Sequence, residues 1–209
     1  MLDDEGGNPA GKQLMVLWST KDNPLVEVNG HPWKPVGRPG FDEDGGIAMD
    51  GMVAAWWFDG HKLIEPLILE ESRIIVISEE HSHWPYQKGG IVASHTENEY
   101  SMGLNPEENE FWLKLETEHG DFDLKMQPWN DAMSSMKVAQ AEYGLGMGYG
   151  ISRLHGALCT GEIDGKEVEG SAYFQKVCVQ APSPPWFWGM LHLDDGSYID
   201  WFLPHLSPT

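Results

Sequence analysis

Three groups of residues in the last third of this 209-residue chain have the types and spacing to do chemistry. In YGISRLHGALC, Tyr149, Arg153 and His155 fall on one face of a strand, where an arginine beside a histidine can hold a carboxylate or an enolate oxygen. Such an arginine can equally be one half of an ion pair with one of the chain's many acids. In GSAYFQKV, Tyr173 and Gln175 share a face. Tyrosine can donate or transfer a proton and glutamine can only orient, so the pair reads as ligand-positioning more than as acid-base chemistry. In PSPPWFWGMLHLDDGSYIDWFLPHL, Trp186, Trp188, His192 and Trp201 supply aromatic bodies with polar tips. Those suit an apolar molecule that carries one or two polar groups.

Other chemistries find less support. EEHSHWPY sets His81 and His83 on one strand face with Glu79, at metal-ligand spacing, but names no third and fourth ligand. The plainer reading is a polar strand end stopped by Pro85. No Gly-x-Ser-x-Gly elbow exists and neither cysteine has an activating neighbour, so a nucleophilic mechanism is not indicated. GLGMGYG lacks the Lys-Ser/Thr signature of a phosphate loop and reads as a bend or bulge at a strand start. No cofactor is expected. Any catalysis would rest on positioning and desolvation.

The elements that must position these residues are strands. Asp195-Gly196 reads as a two-residue type I′ turn, because both central positions need φ > 0. The ideal register then sets His192 opposite Ile199, Met190 opposite Trp201 and Trp188 opposite Leu203. One face would carry Trp186, Trp188, Met190, His192, Ile199, Trp201, Leu203 and His205, and the other Phe187, Leu191, Leu193, Tyr198, Asp200 and Phe202. Both faces are apolar, so each needs a cover. An antiparallel sheet closed around a lumen, with a further layer outside, meets that need, and a packed sandwich core is the alternative.

Three more two-residue signals, Asn29-Gly30, Asp59-Gly60 and Asp164-Gly165, separate β-rich runs and indicate a meander. Further strand candidates are Leu14 to Ser19, Arg73 to Ser78, Val92 to Leu104, Glu110 to Glu118 and Asp121 to Gln127. FWLKLETEHGDFDLKM alternates apolar and charged residues, which predicts a hairpin with one solvated face. One helix is predicted after a cap at Asn130 or Asp131, with Met133, Met136, Ala139 and Tyr143 on its apolar face. About Asp164-Gly165 the ideal register sets Cys159 opposite Gly170 and Arg153 opposite Lys176. It leaves Cys178 out of reach of Cys159, so no disulfide is expected.

A formal net charge of −20, from 33 acidic and 13 basic residues, argues against nucleic acid and anionic membrane surfaces as partners. No apolar run is long enough to span a bilayer and the first residues are acidic, so a cytoplasmic protein is expected. Ten tryptophans favour a site or a large aromatic core. The whole chain, 1–209, reads as one domain.

The order of GEIDGKEVEGSAYFQ, then PWFWGMLHLDDGSYIDWF, resembles the end of the amino-terminal domain of the lipocalin-like carotenoid hydratases. That family includes hydroxyneurosporene synthase, and related folds act as Diels-Alder cyclases. Gly170 and Tyr173, Trp186 and Trp188, and Asp195-Gly196 match its pattern over roughly the last sixty residues. Gln175 stands where the family has an acid two after the tyrosine, and no His-Trp follows, so the acid a hydratase needs to protonate an alkene is missing.

The resemblance implies an all-β, antiparallel lipocalin-like β-barrel with at most one short helix. Its cavity would bind an isoprenoid or polyketide-like molecule, lined by Tyr173, Trp186, Trp188 and Trp201, with Arg153, His155, Gln175 and His192 at the polar end. An enzyme of the hydratase, cyclase or isomerase type acting on such a molecule is the second expectation. A non-catalytic interaction domain is the third, with a homo-oligomer or a second lipocalin-like domain as partner.

Overall fold

The structure, a computed structural model, describes residues 2–3, 11–20, 26–28, 30–34, 39–41, 47–76, 91–94, 99–105, 110–129, 137–180 and 186–204. All regular structure among them is strand. In chain order these are β1 Leu2–Asp3, β2 Gln13–Thr20, β3 Val26–Val28, β4 His31–Trp33, β5 Gly40–Phe41, β6 Ile47–Phe58, β7 Leu63–Val76 and β8 Ile91–Ser94. There follow β9 Glu99–Asn105, β10 Glu110–Thr117, β11 Gly120–Pro128, β12 Lys137–Gly144, β13 Met147–Ile163, β14 Lys166–Gln180, β15 Trp186–His192 and β16 Tyr198–Pro204. The pairings are antiparallel, and the path of the large sheet runs β1-β14-β13-β11-β10-β9-β8-β7-β6-β2. Among the described residues no ladder joins its ends, β1 and β2.

The chain divides into two compact units, Met1–Met126 with Cys159–Gly170, and Gln127–Leu158 with Ser171–Thr209. In the first, β6 is buried along most of its length, as its run of apolar residues requires. Trp33 of β4 covers one side of it, packed on Met52 and Leu69. On β11, Phe122 meets the edge of Trp57 at 5.2 Å and 85°. Each such buried side chain contributes about 1.5–3 kcal/mol.

The β10–β11 hairpin has the alternation its sequence predicts from Leu113 onward, whereas Glu110 and Trp112, on the face expected to be solvated, are buried. Leu113, Leu115, Phe122 and Leu124 point into the core, while Lys114 and Asp123, directly opposite one another, form an exposed ion pair at 3.1 Å. Cys159 is a buried free thiol, and desolvation pushes its pKa up to about 11.

Turns account for the departures from expectation. At Asp164-Gly165 both residues have positive φ, 53° and 70°, as a type I′ turn requires. The Asp164 carboxylate accepts the Asp121 N–H, and the Asp164 N–H returns to the Asp121 carbonyl, both at 2.9 Å. Val28 pairs with His31, the pairing that the Asn29-Gly30 signal predicts, and Asn29 itself lies outside the described residues.

Asp59-Gly60 opens a four-residue loop instead, since Phe58 pairs with Leu63. There the Asp59 carboxylate accepts the N–H groups of His61 and Lys62, which hold its pKa down. Arg73 to Ser78 is not a separate strand where it is described; residues 73–76 complete β7.

The expected helix is also corrected. Its cap and Met133 and Met136 lie outside the described residues, but Ala139 and Tyr143 fall in β12, which pairs with β13 about a turn at Leu145-Gly146. Positions 139, 141 and 143 are apolar at a period of two as well, so a strand satisfies this pattern. Backbone pairing with β13 then gives the segment the hydrogen bonds a short isolated helix cannot sustain.

Candidate functional site

The second unit brings together side chains from β13, β14, β15 and β16. The turn before β16 decides which ones. His192 pairs with Tyr198, Met190 with Asp200, Trp188 with Phe202 and Gly189 with Trp201, one residue away from the register an ideal type I′ turn imposes. The Gly196 N–H donates to the Leu193 carbonyl and the Leu193 N–H to the Ser197 carbonyl, while Gly196 alone of the turn residues has positive φ, 78°. Residues 193–196 therefore form a type I turn closed by a glycine bulge.

This shift exchanges the faces of β16. Tyr198 and Asp200 join Trp188 and His192, whereas Trp201 moves to the opposite face, 42% exposed, with its ring laid across Gly189. The predicted placement of Ile199, Trp201 and Leu203 on the face of Trp188 and His192 is corrected accordingly.

Asp200 is the centre of the cluster. One carboxylate oxygen accepts from the Arg153 guanidinium at 3.1 Å and the other from the Trp188 indole N–H at 3.0 Å. His155 Nε2 stands 4.0 Å from the same carboxylate. Around this polar centre the rings are ordered: His155 stacks on Tyr198 at 5.1 Å and 17°, and Tyr173 lies 5.1 Å from Trp188.

The Tyr173 hydroxyl donates to Gln175 Oε1 at 2.6 Å, as the shared strand face predicts. Burial, seconded by the Asp200 charge and opposed by Arg153, pushes the Tyr173 pKa up to about 12. Its phenol therefore stays protonated at neutral pH and serves as a donor.

His192 is held at both nitrogens. Nε2 lies 2.7 Å from the His155 carbonyl, which can only accept, and Nδ1 lies 2.9 Å from Ser171 Oγ. In the neutral ring Nε2 carries the proton and Nδ1 accepts from the serine. Burial lowers the His192 pKa, with the hydrogen bond to the His155 carbonyl in opposition.

The Trp129 ring meets His192 edge-on at 4.7 Å and covers Gly156, where a Cβ would strike it. His192 is thus a fixed strut between β15, β13 and β14.

Of the predicted residues, Arg153, His155, Tyr173, Gln175, Trp188 and His192 come together, Gln175 at the exposed margin. Trp186 begins β15 opposite Pro204, and its side chain lies outside the described residues, as do His81 and His83. Among the described residues no group of three or more His, Cys, Asp or Glu is placed to hold a metal.

No family model, curated protein or solved structure matches the chain.

Sequence reasoning missed Asp200, Tyr198, Ser171 and Trp129. The first two were recoverable from Leu193-Asp194-Asp195-Gly196, a run that suits a type I turn with glycine in the bulge as well as it suits a type I′ turn. Trp129 follows Pro128 at the end of β11 and carries no local signal.

Proposed function

We propose that the second unit binds an apolar small molecule, isoprenoid or polyketide-like, and that the antiparallel sheet is of the lipocalin-like kind. The observation that carries this reading is the pairing of Tyr173 with Trp188 and of His155 with Tyr198 around the Arg153–Asp200 ion pair. Aromatic faces supply apolar contact and a single polar centre supplies orientation, which is the composition of small-molecule sites.

The test is native mass spectrometry of the purified protein, followed by organic extraction and identification of what is released. A stoichiometric apolar compound, lost in a Trp188→Ala variant that keeps its far-ultraviolet spectrum, is the expected result. A Trp188→Ala protein that retains the compound at full affinity sinks the assignment.

One observation favours a second reading. The face of β15–β16 turned away from the cluster carries Phe187, Leu191, Ile199, Trp201 and Leu203, each between 42% and 64% exposed. An interaction domain would use such a face. A monomer at all concentrations in native mass spectrometry would count against it.

A further inference from the structure

The two ends of the large sheet are finished differently. One end is the two-residue β1, where Asp3 faces Glu169 of β14, a strand that also carries Lys166 and Glu167. Short length and charge are means by which an edge refuses a further strand. The other end, β2, has neither. QLMVLWST is eight residues long without a charge or a proline, and its pairing with β6 runs unbroken from Gln13–Phe58 to Thr20–Gly51, so no bulge turns it aside. Among the described residues nothing pairs with its outer side. The short β5 also joins β6, but at Ala48 and Ile47, in line with β2 and not beside it.

Such an edge offers a row of backbone donors and acceptors, and its side chains decide what they fit. Alternation puts Gln13, Met15, Leu17 and Ser19 on one face of β2, and Leu14, Val16 and Trp18 on the other. On the first face Met15 is 55% and Leu17 38% exposed. A charged partner finds nothing on this strand to select it, although the chain as a whole carries −20. A second β2 does fit. Turned about a two-fold axis through Val16 and normal to the sheet, an antiparallel copy keeps each face on its own side. It sets Met15 opposite Leu17 of the other copy, Leu14 opposite Trp18 and Gln13 opposite Ser19, so apolar side chains meet apolar ones and polar meet polar. An axis through Leu17 would set Met15 against Ser19 instead.

We infer that β2 is the seam of a homodimer in which the sheets of two copies join edge to edge about Val16. The seam belongs to the first unit and does not rest on the ligand site of the second. One strand pair covers less than the about 1,600 Å² of a standard interface, so the ladder bonds carry the association and its Kd should be on the order of 10 μM.

Sedimentation equilibrium tests it, in about 0.15 M salt, where repulsion between the two acidic chains is screened beyond about 8 Å. Met15→Lys and Leu17→Glu each place a charge on the exposed side of β2, and each should weaken self-association by about tenfold or more. Mixed in equal amounts, the two variants should recover a heterodimer within about threefold of the wild-type affinity, because the introduced lysine of one chain then faces the introduced glutamate of the other. Should either variant fail to fold, the exchanged pair Met15→Glu and Leu17→Lys poses the same question. A wild type that stays monomeric at about 100 μM, ten times the expected Kd, overturns the inference. So does a dimer that both single variants leave intact, which would move the contact to the outer face of β15–β16. Weakening by both variants without recovery in the mixture overturns the pairing about Val16.

Discussion

The hairpins β10–β11 and β15–β16 are built on the same antiparallel pairing and differ in what their side chains say about it. In β10–β11 one face is core and the other, beyond the buried Glu110 and Trp112, carries Lys114, Glu116, Asp121, Asp123 and Lys125, so a slip of one residue would bury charge. In β15–β16 both faces are largely apolar, so hydrophobic burial by itself does not tell one register from the next. There the turn sets the register, seconded by the Asp200 bonds to Arg153 and Trp188, and with it which side chains enter the cluster.

This contrast predicts a large difference in mutational cost. Phe122→Ala empties a site that is 2% exposed and removes the edge contact to Trp57, so it should cost about 3–5 kcal/mol in urea unfolding. Phe187→Ala, at 64% exposure on the outer face of β15, should change stability by less than about 0.5 kcal/mol. Comparable losses would mean that the outer face is covered in solution, which is the interaction reading.

Next in size is the polar centre. Asp200→Ala leaves the Arg153 guanidinium and the Trp188 indole N–H without their acceptor, both in largely buried positions, and should cost about 2–3 kcal/mol. Combined with Arg153→Ala in a double-mutant cycle, it should show a coupling of about 1 kcal/mol or more. Additive losses would make the pair incidental and return Asp200 to the outer face.

The same two hairpins show how much was legible. Where alternation is clean, as in LKLETEHGDFDLKM, the sequence specifies strands, faces and core together, whereas Trp112 just before it is buried on the face expected to be solvated. The one-face placement of Tyr173 with Gln175 followed from parity within a single strand and needed no register. Asp200 was misplaced because its position depends on pairing across a loop, and Asp-Gly serves a type I′ turn and a glycine bulge alike. Segment 137–144 was misread for a related reason: its apolar positions fit a period of two and a period near 3.6, and only the partner strand β13 decides between them.

A smaller effect comes from the strut at His192. Its pKa in the folded chain lies below the ordinary 6.5, so between the two values the unfolded chain binds more protons. The stabilisation is therefore full above about pH 6.5 and is lost as pH falls through the lower, folded value. Urea unfolding at pH 7.5 and 5 should show this loss in the wild type and less of it in His192→Gln, the difference isolating His192 from the chain's other titrating groups. An identical pH dependence in both would mean that His192 is solvated.

The finest test separates the two turns that fit Asp195-Gly196. Gly196 has φ +78° in either case, so Gly196→Ala should cost about 1–2 kcal/mol and identifies the left-handed position without choosing between them. Asp195 chooses. In a type I′ turn it would itself need φ > 0, and Asp195→Gly would relieve strain and raise the melting temperature. In the observed turn its φ is not positive and its carboxylate accepts both the N–H and the hydroxyl of Ser197, bonds that also hold its pKa down. Asp195→Gly then removes those bonds and adds freedom to the unfolded chain, so the melting temperature should fall. A rise would restore the ideal register, return Trp201 to the aromatic face and take Asp200 out of the site.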